Sequence, residues 1–162
     1  MPADPPVDLV LTPINGQGRT VQQWLTTFHL LVIALDPYTN EGAWILPIAQ
    51  RIIGTFEQAD VRVALLLPAD ADDCRRFLGP VARDVLTFSD PERTAVRAFG
   101  LERLPAIIHL AMDGTIARAA EGWNPAEWKA VTSELATKMR WTAPLVPAPN
   151  DPGPFQGSPA LV

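Results

Sequence analysis

Two apolar runs, Leu30–Leu35 and Val61–Leu67, constrain this chain more than any other feature. Neither alternates with polar residues, apart from Arg62, so each suits a strand covered on both faces, as in a parallel sheet. Between them Ile45, Ile48, Ala49, Ile52, Ile53 and Phe56 keep the spacing of one helical face, which predicts a helix from about Asn40 to Gln58. Thr39 or Asn40 can cap its first turn, and Glu41 suits the positive end of its dipole. Pro47 lies too deep in this segment to be a start residue and predicts a kink. Strand, helix and strand in this order form the crossover unit of an α/β protein.

The flanking segments complete that architecture. Residues 1–6 are proline-rich and too short to order themselves. Val7–Ile14, the Asn15–Gly18 turn and Arg19–Val21 read as an N-terminal hairpin, with Pro13 confining its first strand to an edge or an early end. Val21–Phe28 is a short helical turn or lead-in. Asp70, Asp72 and Asp73 crowd the start of a helix that runs to about Leu78. Val85–Phe88 is a short strand, Ser89-Asp-Pro-Glu92 matches a capping-box start, and Gly100 closes the helix it opens. Asp113-Gly114 joins Ala106–Ala111 to Thr115–Ala119 as a hairpin. Asn124-Pro125 begins a last helix, whose Trp128, Val131 and Leu135 face inward and which ends near Arg140.

Residues 7–140 thus form one α/β domain with a mixed central sheet flanked by helices. Residues 141–162 are a proline-rich tail of polyproline character, including the PxxP form Pro144-Leu-Val-Pro147. Such an end orders only where something ties it down.

The totals bound the function. A chain of 162 residues can build a core without disulfides or metals. A net charge of −5, with no block of Lys or Arg, argues against non-specific nucleic-acid binding. One cysteine excludes an intramolecular disulfide. The apolar runs are strand length, well below the ~20 residues of a membrane span. The opening Met-Pro-Ala-Asp-Pro-Pro lacks the basic and apolar regions of a signal peptide, so a cytoplasmic location is expected. Two histidines, His29 and His109, support neither a metal site nor a nucleophile–base triad, and with no phosphate loop in the sequence no cofactor is expected.

The order of elements resembles the thioredoxin-like fold, in the branch that holds TlpA-type thiol-disulfide oxidoreductases and peroxiredoxins. The resemblance spans roughly Val7 to Lys138. It is carried by the Asn15-Gly16 turn before the Leu30–Leu35 strand and by the Pro47-bearing helix after it. Phe88-Ser-Asp-Pro91 before a helix ending Ala98-Phe-Gly100, Leu104-Pro105 at a strand entry, and Met112-Asp-Gly-Thr115 complete it. It implies a cis Pro105 facing the reactive loop, and a groove beside it where extended peptides dock.

The reactive loop departs from that family. If Pro47 matches the family's kink proline, the two cysteine positions fall on Thr39 and Gly42. If Thr39 is the threonine preceding a peroxidatic cysteine, that cysteine falls on Gly42. Neither register supplies a thiolate at the helix N-terminus, and a threonine hydroxyl neither ionises near neutral pH nor forms a disulfide.

The expected role is therefore a redox-inactive protein-binding module or complex subunit, acting through the former active-site groove, the tail, or both. The groove residues are Tyr38, Thr39, Asn40, Glu41, Gly42, Trp44, Leu104 and Pro105, with Tyr38 and Trp44 able to give a peptide an aromatic floor. The alternative is an atypical thiol-disulfide oxidoreductase or peroxidase-like protein using Cys74 alone. Its sulfur lies early in a helix between three aspartates and Arg75-Arg76, in a partly exposed setting. Asp36 and Glu41 form a weaker candidate acid–base pair, each readily explained as a turn or helix-start residue.

Overall fold

The computed structural model describes residues 1–161. Its centre is the predicted crossover unit. Strand β3 (His29–Ala34) is buried along all but its first residue, helix α2 (Asn40–Phe56) follows, and strand β4 (Val61–Leu67) returns parallel to β3. Helix α3 (Ala71–Leu78), capped by the Asp70 carboxylate on the Asp73 amide, leads through a 3-10 turn to β5 (Thr87–Ser89), parallel to β4. On the other side β7 (Ala106–Leu110) runs antiparallel to β3 and is joined to β8 (Ile116–Glu121) by the Asp113-Gly114 hairpin.

The N-terminal hairpin, β1 (Val10–Pro13) with β2 (Arg19–Thr20), extends the sheet, because β1 also pairs antiparallel with β5. The full order is β2-β1-β5-β4-β3-β7-β8. Strand β1 is therefore interior to the sheet, and beyond Pro13 one more amide, that of Ile14, donates across to the Thr87 carbonyl at 2.9 Å.

Two apolar layers cover the sheet. One packs α2, α3 and the last helix α5 (Pro125–Met139) on a face that includes Leu31, Ile33 and Leu65. The other packs α1 (Val21–Trp24) and α4 (Thr94–Ala98) on Leu30, Val32 and Leu66. Burial on both faces is why β3 shows no polar alternation. Pro47 sits inside α2 on its exposed side, and the helix continues past it.

Two expectations need correction. Helix α4 does not start on a Ser89–Glu92 capping box: Asp90 does the work, its two carboxylate oxygens accepting from the Ala95 and Val96 amides at 3.1 and 2.9 Å. Residues 1–6 are ordered by docking, since the Ala3 amide donates to the Phe99 carbonyl and Asp4 accepts from the Ile116 amide. Gly100 permits this approach, with a φ of +67° and no Cβ to strike the chain at Met1 and Ala3.

The tail is ordered by being tied down. Its described residues are anchored where polar groups of the body meet its backbone and its one acidic side chain. The Arg51 guanidinium grips the Asp151 carboxylate through both of its terminal nitrogens, at 2.5 and 3.0 Å, and donates to the Leu145 carbonyl. The Trp123 indole donates to the Pro152 carbonyl, and the Trp141 indole to that of Thr55. The tail ends in strand β9 (Ser158–Pro159), antiparallel to β6 (Arg103–Leu104). No helix among the described residues is long and apolar enough to cross a membrane.

Candidate functional site

The loop between β3 and α2 is built from Asp36 outward. One carboxylate oxygen of Asp36 accepts from the Tyr38 amide at 2.9 Å, and its carbonyl accepts from the Thr39 hydroxyl at 3.2 Å. The Thr39 hydroxyl in turn accepts from the Gly42 amide at 3.1 Å, which makes Thr39, not Asn40, the cap of α2. Asp36 is thus consumed by the turn, and no hydrogen bond joins it to Glu41.

Gly42 closes the loop against side chains. A Cβ at this position would collide with the Asp36 carbonyl oxygen, and that oxygen is already engaged by Thr39. A glycine in the first turn of a helix carries a conformational cost, and here the close backbone approach explains its presence. The position onto which both registers place a reactive cysteine has no room for one without moving the loop.

On the outside of this turn Tyr38 and Trp44 project into solvent, 63% and 51% exposed. The Tyr38 hydroxyl donates to Asp73 at 2.6 Å, and that bond, reinforced by partial desolvation, pushes its pKa up to about 12. That bond ties the α2 loop to the first turn of α3. Asn40 is exposed and Glu41 half-buried beside Trp44.

The Leu104–Pro105 peptide bond is cis, as the resemblance implies. Leu104 and Pro105 are both buried, however, because the groove expected to be open beside them holds the chain's own tail. Phe155 exchanges backbone hydrogen bonds with Trp123 at 2.9 and 3.0 Å and sets its ring edge-on to Trp44, centroids 6.0 Å apart. What remains open is a cleft of about 300 Å³ walled by Glu41 and Trp44 on one side and Phe155–Ser158 on the other. Of the eight proposed groove residues, Tyr38, Asn40 and Trp44 on the α2 loop are exposed, Thr39 and Glu41 are half-buried, and Gly42, Leu104 and Pro105 are covered.

Cys74 lies elsewhere and is wholly buried, contrary to its expected partial exposure. Burial pushes its thiol up to about 11; the Ser89 hydroxyl opposes this, and Asp70 and Asp73 add to it. Its sulfur points at the Ala69 carbonyl 3.6 Å away, a structural contact. A thiol so placed is protonated and shielded, and has none of the properties of a nucleophile.

The two histidines meet across β3 and β7, with His29 Nδ1 2.9 Å from His109 Nε2. His109 is fully buried, and its Nδ1 has no partner among the described residues. Burial, followed by the neighbouring His29, lowers its pKa to about 4. Among the described residues no three His, Cys, Asp or Glu side chains converge as a metal site would require.

The tail contacts were not readable beforehand. Arg51, Asp151, Arg93 and Phe155 carry no motif, and their partners lie far off in sequence. The signals that could have pointed to them are Gly157 and Gly122, isolated glycines whose absent side chains admit a crossing strand.

Comparison with known proteins follows the geometry. No family model matches the sequence, and no curated protein matches it. Solved structures do. A thiol:disulfide interchange protein DsbE from Chlorobium tepidum superposes with a TM-score of 0.70 at 15% identity, covering 86% of this chain and 98% of that one. A thioredoxin from Neisseria meningitidis, solved in solution, gives 0.68 at 15% identity over 86% of this chain and 92% of its own. Peroxiredoxin Q from Xanthomonas campestris, in a cysteine-to-serine form, gives 0.68 at 15% identity over 82% and 92%. At such identities the likeness speaks to architecture alone, and on that point it is plain: this chain has the thioredoxin-like fold.

Proposed function

We propose that this protein is a redox-inactive binding module of the thioredoxin-like fold, which recognises another protein through the exposed α2 loop and the cleft beside it. The observation that carries the reading is Gly42, whose missing side chain is required by the Asp36 carbonyl at the position a reactive cysteine would occupy. Without a thiol at the helix start the fold retains a surface and loses its turnover. Tyr38 and Trp44 supply the aromatic anchors that protein contacts favour, and Glu41 supplies a charge at the rim. The buried, protonated Cys74 does not restore the chemistry from another position.

The test has two arms. Disulfide reduction and peroxide consumption are assayed for the protein and for Cys74→Ser, with no turnover expected from either. Tyr38→Ala and Trp44→Ala are compared with the unchanged chain in affinity capture from the native cell. Loss of the same captured protein in both variants is expected, and its retention in both would falsify the reading. Thiol-dependent turnover abolished by Cys74→Ser would establish the single-cysteine enzyme instead.

A further inference from the structure

Residues 155–160 are held as a ligand would be held, and at Gly157 and Ala160 few side chains could take their place. Phe155 contributes its ring to Trp44 and both backbone hydrogen bonds to Trp123. Gly157 has a φ of +89°, and a Cβ on it would strike the Leu104 carbonyl oxygen. Ser158 and Pro159 pair with Leu104 and Arg103. Ala160 is fully buried, its amide donates to the Glu102 carbonyl at 2.9 Å, and its own carbonyl accepts from the Arg93 guanidinium. Main-chain pairing of this kind supplies affinity, while pockets at alternate positions supply selectivity.

Building on the protein-binding reading above, we propose that the strand site along Glu102–Leu104 selects an extended segment of the pattern Phe-x-Gly-x-x-Ala. The tail is its resident occupant, and a protein partner binds by presenting the same pattern in the tail's place. Position 157 admits only glycine, because both its φ and its clearance exclude a side chain. Position 160 admits only a residue small enough for a closed pocket. The aromatic position is read by Trp44, which stays half-exposed and can meet an incoming segment first. A tethered occupant acts at high effective concentration, so a short free peptide does not displace it, whereas a partner that also engages Tyr38 and Trp44 can.

The experiment uses the full chain and a fluorescent peptide, Gly-Pro-Phe-Gln-Gly-Ser-Pro-Ala-Leu, the sequence of residues 153–161. Binding is measured by anisotropy to the unchanged protein and to Gly157→Val, whose tail is expelled by the clash at Leu104. The variant is expected to bind at least about tenfold more tightly, since its site is vacated. The same peptide with valine in place of its internal glycine is expected to bind neither protein. Ala160→Asp, which puts a charge where the pocket is closed, provides the comparison again if Gly157→Val does not fold. Equal binding to the unchanged and variant proteins, equal binding of the two peptides, or no binding to either variant overturns the proposal. The protein-binding reading itself is decided separately, by the capture experiment with Tyr38→Ala and Trp44→Ala.

Discussion

Gly42 and the Asp36 carbonyl oxygen approach so closely that the loop and the first turn of α2 fit together only because no side chain stands between them. A glycine-to-alanine change in a helix ordinarily stabilises by about 1 kcal/mol. Here the sign is expected to reverse, with Gly42→Ala losing about 2–3 kcal/mol through overpacking. Gly54, exposed on the same helix with open space where its Cβ would lie, is the internal control, and Gly54→Ala should gain roughly 1 kcal/mol. Urea unfolding of the two variants measures both signs in one helix.

The ion pair between Arg51 and Asp151 should be the strongest single fastening of the tail. Asp151 is nearly enclosed, its side chain 8% exposed, and it accepts from the Ala148 amide as well as from the guanidinium. Asp151→Ala is expected to cost about 2 kcal/mol and to speed amide exchange at Ala160 and Leu104. Faster exchange confined to the tail and the β6 edge it covers, with the rest of the body unaffected, would show that the tail opens as its own unit.

His109 predicts a loss of stability in mild acid. Its folded pKa of about 4 lies below the ordinary value of 6.5, so the unfolded chain binds the proton more tightly. The contribution is complete above pH 6.5 and shrinks as pH falls towards 4, by on the order of 3 kcal/mol. His109→Leu should flatten that limb of the stability curve. Asp151, whose pKa is held below the carboxylate range chiefly by Arg51, adds a second loss at lower pH, once its carboxylate is protonated.

Cys74 should behave as a core residue. In the native protein its reaction with a chromogenic disulfide is expected to follow the rate of opening of the fold, and to become immediate in denaturant. Cys74→Ala, by removing a fully buried group, should cost about 1–2 kcal/mol. A fast native reaction would contradict the buried setting.

The fold was legible where its causes are local. The apolar runs give β3 and β4, the 3.6-residue spacing gives α2, and Asp113-Gly114 gives the β7–β8 hairpin. The start of α4 was misread because Ser89 and Glu92 fit a capping box by spacing, whereas the Asp90 carboxylate reaches two amides at once. Of the site, the missing thiols and the exposed Tyr38 and Trp44 could be read from the sequence. The covering of Leu104 and Pro105 could not, because it depends on pairings such as Arg51 with Asp151, 100 residues apart, and on a tail whose composition alone suggests no fixed structure.

The pairing of β9 with β6 also sets an order of events at birth. Every strand of the main sheet, and the helices packed on it, precede β9 in the chain. The core itself draws on that late segment, because Val146 and Ala160 are buried in its two apolar layers, so the last residues made close the fold. A chain cut short before β9 loses part of its core as well as the cover on the Leu104 edge.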